Sequence, residues 1–151
     1  MQYTIENEYL RLTVDTHGAE AVSVVNKATG AEMLWCGDPA VWGRHAPILF
    51  PYTGKLTGGK MIAKGKEYAG GQHGFARDVE HAMTRHADNL LEFELHATPK
   101  RCPSGPMRFV LRSTFYAGRG DRPPHADRRE PRRGQALLRH RLPSGFCAAL
   151  R

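Results

Sequence analysis

Leu10, Leu12 and Val14 alternate with Arg11 and Thr13. A period of two predicts a strand with one buried face. Ala21-Val22-Ser23-Val24-Val25-Asn26 is a second β-rich run. Lys27-Ala28-Thr29-Gly30 then predicts a hairpin turn, with Glu32-Met33-Leu34-Trp35 as its return strand. Further strands are predicted at Met61-Ile62-Ala63, residues 79–85 and residues 90–96, with Asp88-Asn89 turning between the last two. Met107, Phe109, Leu111, Ser113 and Phe115 alternate with Arg108, Val110, Arg112 and Thr114, which predicts another half-buried strand. No segment carries a long helical period. Short strands with turns every ~8–12 residues predict an all-β fold, a sandwich or barrel.

The 151 residues suit one domain, since domains run to roughly 100–200 residues. No apolar run approaches the ~20 residues of a membrane helix. The first residues have neither a basic start nor an apolar core, so no signal peptide is expected. Cys36, Cys102 and Cys147 are an odd set without metal-ligand spacing, which fits a reducing, cytoplasmic location.

The net charge of +7 is unevenly placed. Residues 1–100 hold 10 Lys+Arg and 12 Asp+Glu, whereas residues 101–151 hold 12 Arg and 3 Asp+Glu. The excess therefore belongs to the end of the chain, which argues against a basic nucleic-acid-binding domain. Residues 116–151 contain nine Arg and no Lys, Val, Ile, Thr or Trp. That composition predicts an irregular, disordered basic tail.

Between residues 35 and 77 glycines and prolines punctuate a stretch holding Trp35, Trp42, Phe50, Tyr52, Tyr68 and Phe75. Such a mixture suits binding loops. The eight histidines are scattered; His81 and His86, five apart in a predicted strand region, point to opposite faces, so no metal site is expected. Cys36 has no base beside it in sequence to activate it. Gly58-Gly59 and Gly70-Gly71 match no phosphate loop.

One ordered constellation remains. It runs Trp42-Gly43-Arg44-His45-Ala46-Pro47-Ile48-Leu49-Phe50-Pro51, then Gly54-Lys55-Leu56, Tyr68, and Gln72-His73-Gly74-Phe75-Ala76-Arg77-Asp78. With Ile5-Glu6-Asn7, Gly18-Ala19-Glu20, Thr29-Gly30 and Leu34-Trp35 ahead of Gly37-Asp38-Pro39, it resembles the aldose 1-epimerase (galactose mutarotase-like) family, in the bacterial branch with H-G-F-A-R-D. The likeness covers roughly residues 3–115. It implies the N-terminal part of a mutarotase-like β-sandwich with a sugar cleft, an isomerase interconverting α and β anomers of an aldose, and no cofactor.

By that resemblance His73 is a sugar-contacting histidine that assists catalysis. The other reading of His73 is a buried ring donating to a backbone carbonyl. Arg44 and Arg77 resemble cleft arginines that hold hydroxyls or a phosphate; the other reading pairs them with Asp38 or Asp78. Lys55 stands where other branches carry Arg, and either bonds a hydroxyl or is a solvated loop lysine. Phe50, Phe75 and Trp42 either stack on a sugar or pack in the core.

The resemblance also implies a later histidine in a G-x-H-P-x-F element and a glutamate base near the far end, and neither is found. With permitted codons, a one-base shift turns residues 128–134 into V-E-N-R-G-E and residues 139–146 into A-I-G-C-H-P-A. Residues from about 116 are therefore expected to be an out-of-frame end, and the chain an incomplete, inactive member. The expected partners are a small-molecule sugar or sugar phosphate, with no membrane or nucleic acid, and self-association through exposed strand edges. Non-catalytic carbohydrate binding, and binding of anionic or nucleic-acid surfaces by the Arg-rich tail, are the alternatives.

Overall fold

The computed structural model describes residues 1–63, 66–98, 109–118 and 136–141. Three antiparallel strands, β1 (Gln2–Glu6), β2 (Leu10–Asp15) and β3 (Glu20–Asn26), form one sheet in chain order. β4 (Lys60–Ala63) and β5 (Lys66–Ala69) form a separate hairpin. β6 (Ala82–Ala87), β7 (Leu90–His96), β8 (Val110–Ala117) and β9 (Ala136–Arg141) form a second antiparallel sheet, again in chain order. Among the described residues the only helical turns are single 3-10 turns at Thr57–Gly59 and Ala76–Asp78. No helix among them is long and apolar enough to cross a membrane.

The two larger sheets pack face to face as a β-sandwich. Ile5, Leu12 and Val14 from the first sheet meet Leu91, Phe93, Leu95, Leu111 and Phe115 from the second in one buried cluster. The register makes this possible. Leu91 lies opposite Phe115 and Leu95 opposite Leu111 across β7 and β8, so their side chains share the inner face. Phe93 and Phe115 meet edge to face with centroids 5.9 Å apart. Glu92, Glu94 and Arg112 fall on the outer face, where Arg112 pairs with Glu94.

The alternation predicted for Leu10–Val14 and for residues 107–115 is realised in β2 and β8, with Met107 and Arg108 outside the described residues; the strand predicted at residues 90–96 is β7, and Asp88-Asn89 is the turn. Three expectations need correction. Residues 32–35 do not form a return strand, and a single bridge joins Val25 to Glu32. There the Glu32 carboxylate takes the N–H groups of Val24, Met33 and Leu34 and the Ser23 hydroxyl, at 2.6–3.0 Å. The backbone pairing is limited to the Asn26 N–H on the Ala31 carbonyl and the Met33 N–H on the Val24 carbonyl, and the Glu32 side chain supplements it. The strand expected at residues 79–85 begins at Ala82 instead. Val79 and His81 are tied to the corner after β2, through Gly18 N–H to the Val79 carbonyl and His81 N–H to the Thr16 carbonyl.

The third correction concerns the tail. Within it, Ala136–Arg141 is a strand, antiparallel to β8. β8 would otherwise present a row of unpaired N–H and C=O groups, which is what draws a strand to an edge. Tyr116 and Ala117, where the tail was expected to begin, belong to β8 instead. Residues 119–135 and 142–151, and with them the out-of-frame segments at residues 128–134 and 142–146 and Cys147, lie outside the described residues, as does Cys102.

Candidate functional site

Two loops carry the constellation, residues 43–56 and residues 70–78. They run together where Phe50 bridges Gly74 in parallel sense. The Phe50 carbonyl accepts from the N–H groups of Phe75 at 2.9 Å and Ala76 at 3.2 Å. Gly74 has φ 73°, and a Cβ there would sit 2.1 Å from the Phe50 oxygen. Only glycine permits this approach. The Phe50–Pro51 peptide is cis. Phe50 is buried and packs on Phe75 and Phe109, with centroids 6.0 and 5.0 Å away, so it belongs to the core. Trp42 does not; it is 48% exposed.

His73 is half-buried and stands in the left-handed region at φ 65°. Two bonds to Gly54 hold it there. The His73 N–H donates to the Gly54 carbonyl and the Gly54 N–H donates to His73 Nδ1, both at 2.8 Å. An Nδ1 that accepts carries a lone pair, so in the neutral ring the proton is on Nε2. His73 Nε2 is therefore a donor, and the Gln72 side-chain amide 3.2 Å from it accepts through its oxygen when the amide is turned to place that oxygen toward the ring. The sequence offered a buried ring donating to a carbonyl as the other reading, whereas this ring accepts from an amide. Lys55, next to Gly54, is exposed.

The Tyr52 hydroxyl donates to the Gly71 carbonyl at 2.8 Å. Burial pushes its phenol pKa above 10.0, so it is protonated and staples one loop to the other. Beside it lies a hollow of about 50 Å³ lined by Pro51, Tyr52, Gly74 and Phe75 among others. That is well below the ~300 Å³ of a small-molecule pocket. Among the described residues the two loops thus present a wall and not an enclosed chamber.

Arg44 is committed to protein partners. Its Nε lies 2.9 Å and its Nη2 2.7 Å from Glu20 Oε2. Nη1 reaches Asp78 at 3.1 Å and Nη2 the Arg77 carbonyl at 2.6 Å. Of the two partners expected for it, Asp78 is met and Asp38 is not; the main partner, Glu20, was not among those expected. Among the described residues the Arg77 guanidinium meets Asp78, at 3.4 Å. A larger open groove of about 560 Å³ borders Arg44, lined also by Asp15, His17, Ser23 and His45. His73, Lys55 and Arg77 do not line it. The structure thus brings Lys55 beside the His73–Gly54 pair, and Arg44 beside Arg77, with residues 73–77 joining the two groups.

The family model described as aldose 1-epimerase matches residues 1–116. The plasmid-encoded protein LacX of Lactococcus lactis subsp. lactis is 31% identical over 120 residues, covering 76% of this chain and 40% of LacX. A galactose mutarotase related enzyme from Lactobacillus acidophilus superposes with a TM-score of 0.77 at 37% identity, over 80% of this chain and 40% of that one. A galactose mutarotase-like protein from Lactobacillus casei gives 0.76 at 36% identity, over 80% and 41%. The chain spans about 40% of the length of these relatives. With the match running from β1 through β8 and across both loops, this chain belongs to the aldose 1-epimerase family.

Proposed function

We propose that this chain carries the aldose-binding wall of an isomerase that interconverts α and β anomers. The reaction needs a base to take the proton from the anomeric hydroxyl and an acid to protonate the ring oxygen. The C1–O5 bond then breaks as the C1 carbonyl forms, and the ring opens. Rotation about C1–C2 and closure on the other carbonyl face, with both protons returned, give the other anomer. A neutral imidazole with its proton on Nε2 suits hydrogen bonding to a sugar oxygen near that chemistry. The reciprocal bonding of His73 to Gly54 is the observation that carries this reading. Lys55 and Arg77 are assigned to sugar hydroxyls or a sugar phosphate beside it.

A second reading, carbohydrate binding without catalysis, is favoured by one observation. The carboxylates tied to this loop pair, Glu20 and Asp78, are both engaged by Arg44, and a base bound in an ion pair is poorly placed to abstract a proton. Magnetisation exchange between the anomers of galactose and of glucose, measured with the chain in solution, separates the two. Faster exchange supports the isomerase. Sugar-induced shifts without faster exchange select the binding module. Neither effect, with either sugar or its 6-phosphate, overturns both.

A further inference from the structure

We infer that Glu20 is a positioning residue for the His73 wall, acting through Arg44; the inference rests on the proposed sugar site. Glu20 opens β3 directly after Gly18 (φ 76°) and Ala19 (φ 44°), two successive left-handed residues. That turn carries the Glu20 side chain inward, where the residue is 4% exposed. Four N–H contacts converge on the carboxylate. Oε2 faces Nε of Arg44 at 2.9 Å and Nη2 at 2.7 Å. Oε1 takes the backbone N–H groups of His45 at 2.5 Å and Ala46 at 3.2 Å.

The arrangement requires an anion that only accepts. Glutamine in its place turns one end into an NH₂ group facing donors, whichever way the amide is placed. Either the Arg44 contacts or the two backbone contacts are then lost. Arg44 in turn must be an arginine. Its planar fork reaches Glu20, the Arg77 carbonyl and Asp78 together, which a lysine ammonium does not span. The chain of contacts runs from Glu20 through Arg44 to Arg77 and Asp78, and so to the loop whose earlier residue His73 is locked on Gly54. A Cβ on Gly18 would lie 2.6 Å from the Arg77 oxygen, so the turn before Glu20 also abuts this loop. Arg44 is thereby assigned to holding the loop and not to holding sugar.

The test uses the full 151-residue chain, labelled with nitrogen-15. In the wild type we expect the two ring nitrogens of His73 to resonate far apart, because Nδ1 accepts from the Gly54 N–H and leaves the proton of the neutral ring to Nε2. In Glu20→Gln we expect them to draw together as the tautomers mix, the Gly54 amide signal to move, and galactose to bind about tenfold more weakly, as for loss of one charge-assisted hydrogen bond. Arg44→Lys, which keeps the charge, is expected to act in the same direction. A folded Glu20→Gln chain with unchanged His73 and Gly54 signals overturns the inference. If Glu20→Gln does not fold, Arg44→Lys decides by the same signals. If neither folds, Glu20 holds the fold and not the site, and the inference is equally overturned. A wild type that binds no sugar sinks the proposed function, while the ring-nitrogen signals still decide the role of Glu20.

Discussion

Gly54 and His73 hold each other by two hydrogen bonds of opposite sense, each 2.8 Å long. The pair fixes a side chain and a strained backbone at once, since φ 65° is uncommon for a residue with a Cβ. Asparagine tolerates that conformation better than most residues. His73→Asn is therefore expected to keep the fold while removing the outward donor. Sugar-induced shifts in residues 52–56 should vanish, with affinity reduced at least about tenfold. Titration with galactose followed by NMR checks this; undiminished affinity removes His73 from the site.

Gly74 admits no side chain. A Cβ would fall 2.1 Å from the Phe50 oxygen, and φ is 73°. Gly74→Ala must break the Phe50–Gly74 bridge or shift the loop, at a cost of about 1–3 kcal/mol. Because His73 precedes it, the variant should also lose the upfield-shifted Nε2 signature of the ordered ring. A melting curve and ring-nitrogen shifts indistinguishable from wild type would show that the loop yields without cost.

Much of the sandwich was legible as alternation, because a half-buried strand writes its inner face into every second residue. β2 and β8 carry that alternation plainly. β1 was missed although Tyr3 and Ile5 do alternate with Gln2, Thr4 and Glu6, since two apolar positions make a faint period. β5 has little apolar content to mark it. Contacts between distant residues were less legible. The Glu32 carboxylate gathers the N–H groups of Val24, Met33 and Leu34, and Glu20 reaches Arg44 across 24 residues. The motif named His73, but the acceptor role of its Nδ1 depends on Gly54, 19 residues earlier.

The core makes a plainer prediction. Phe93 is fully buried, lies edge to face with Phe115 and is tilted toward Tyr3 at 6.2 Å, so it links the two sheets. Phe93→Ala should destabilise the sandwich by about 3–5 kcal/mol. Urea unfolding at neutral pH reads this directly. A loss below about 1 kcal/mol would mean that the two sheets do not depend on this contact.

Acid should weaken the fold through carboxylates that the folded chain holds ionised. The hydrogen bond from Arg112 pulls the pKa of Glu94 below 4.5, against some burial and with help from His96. Burial alone would raise Glu32, yet the Ser23 hydroxyl and the N–H groups of Leu34, Val24 and Met33 outweigh it and also bring it below 4.5. A folded pKa below the unfolded one means that the unfolded chain binds more protons in this range. The stabilisation is therefore present in full above the unfolded value and is lost as pH falls through the folded one. Tm should hold steady with respect to these groups down to about pH 5 and fall below about pH 4.5. Glu32→Gln tests the assignment, because it cannot lose a proton in that window. It should be less stable than wild type at pH 7 by about 1 kcal/mol, the net worth of one hydrogen bond at an exposed position. Its stability should approach that of wild type as pH falls toward 3, where the wild-type carboxylate is protonated too. Parallel curves across the whole range would show that Glu32 contributes nothing to acid unfolding.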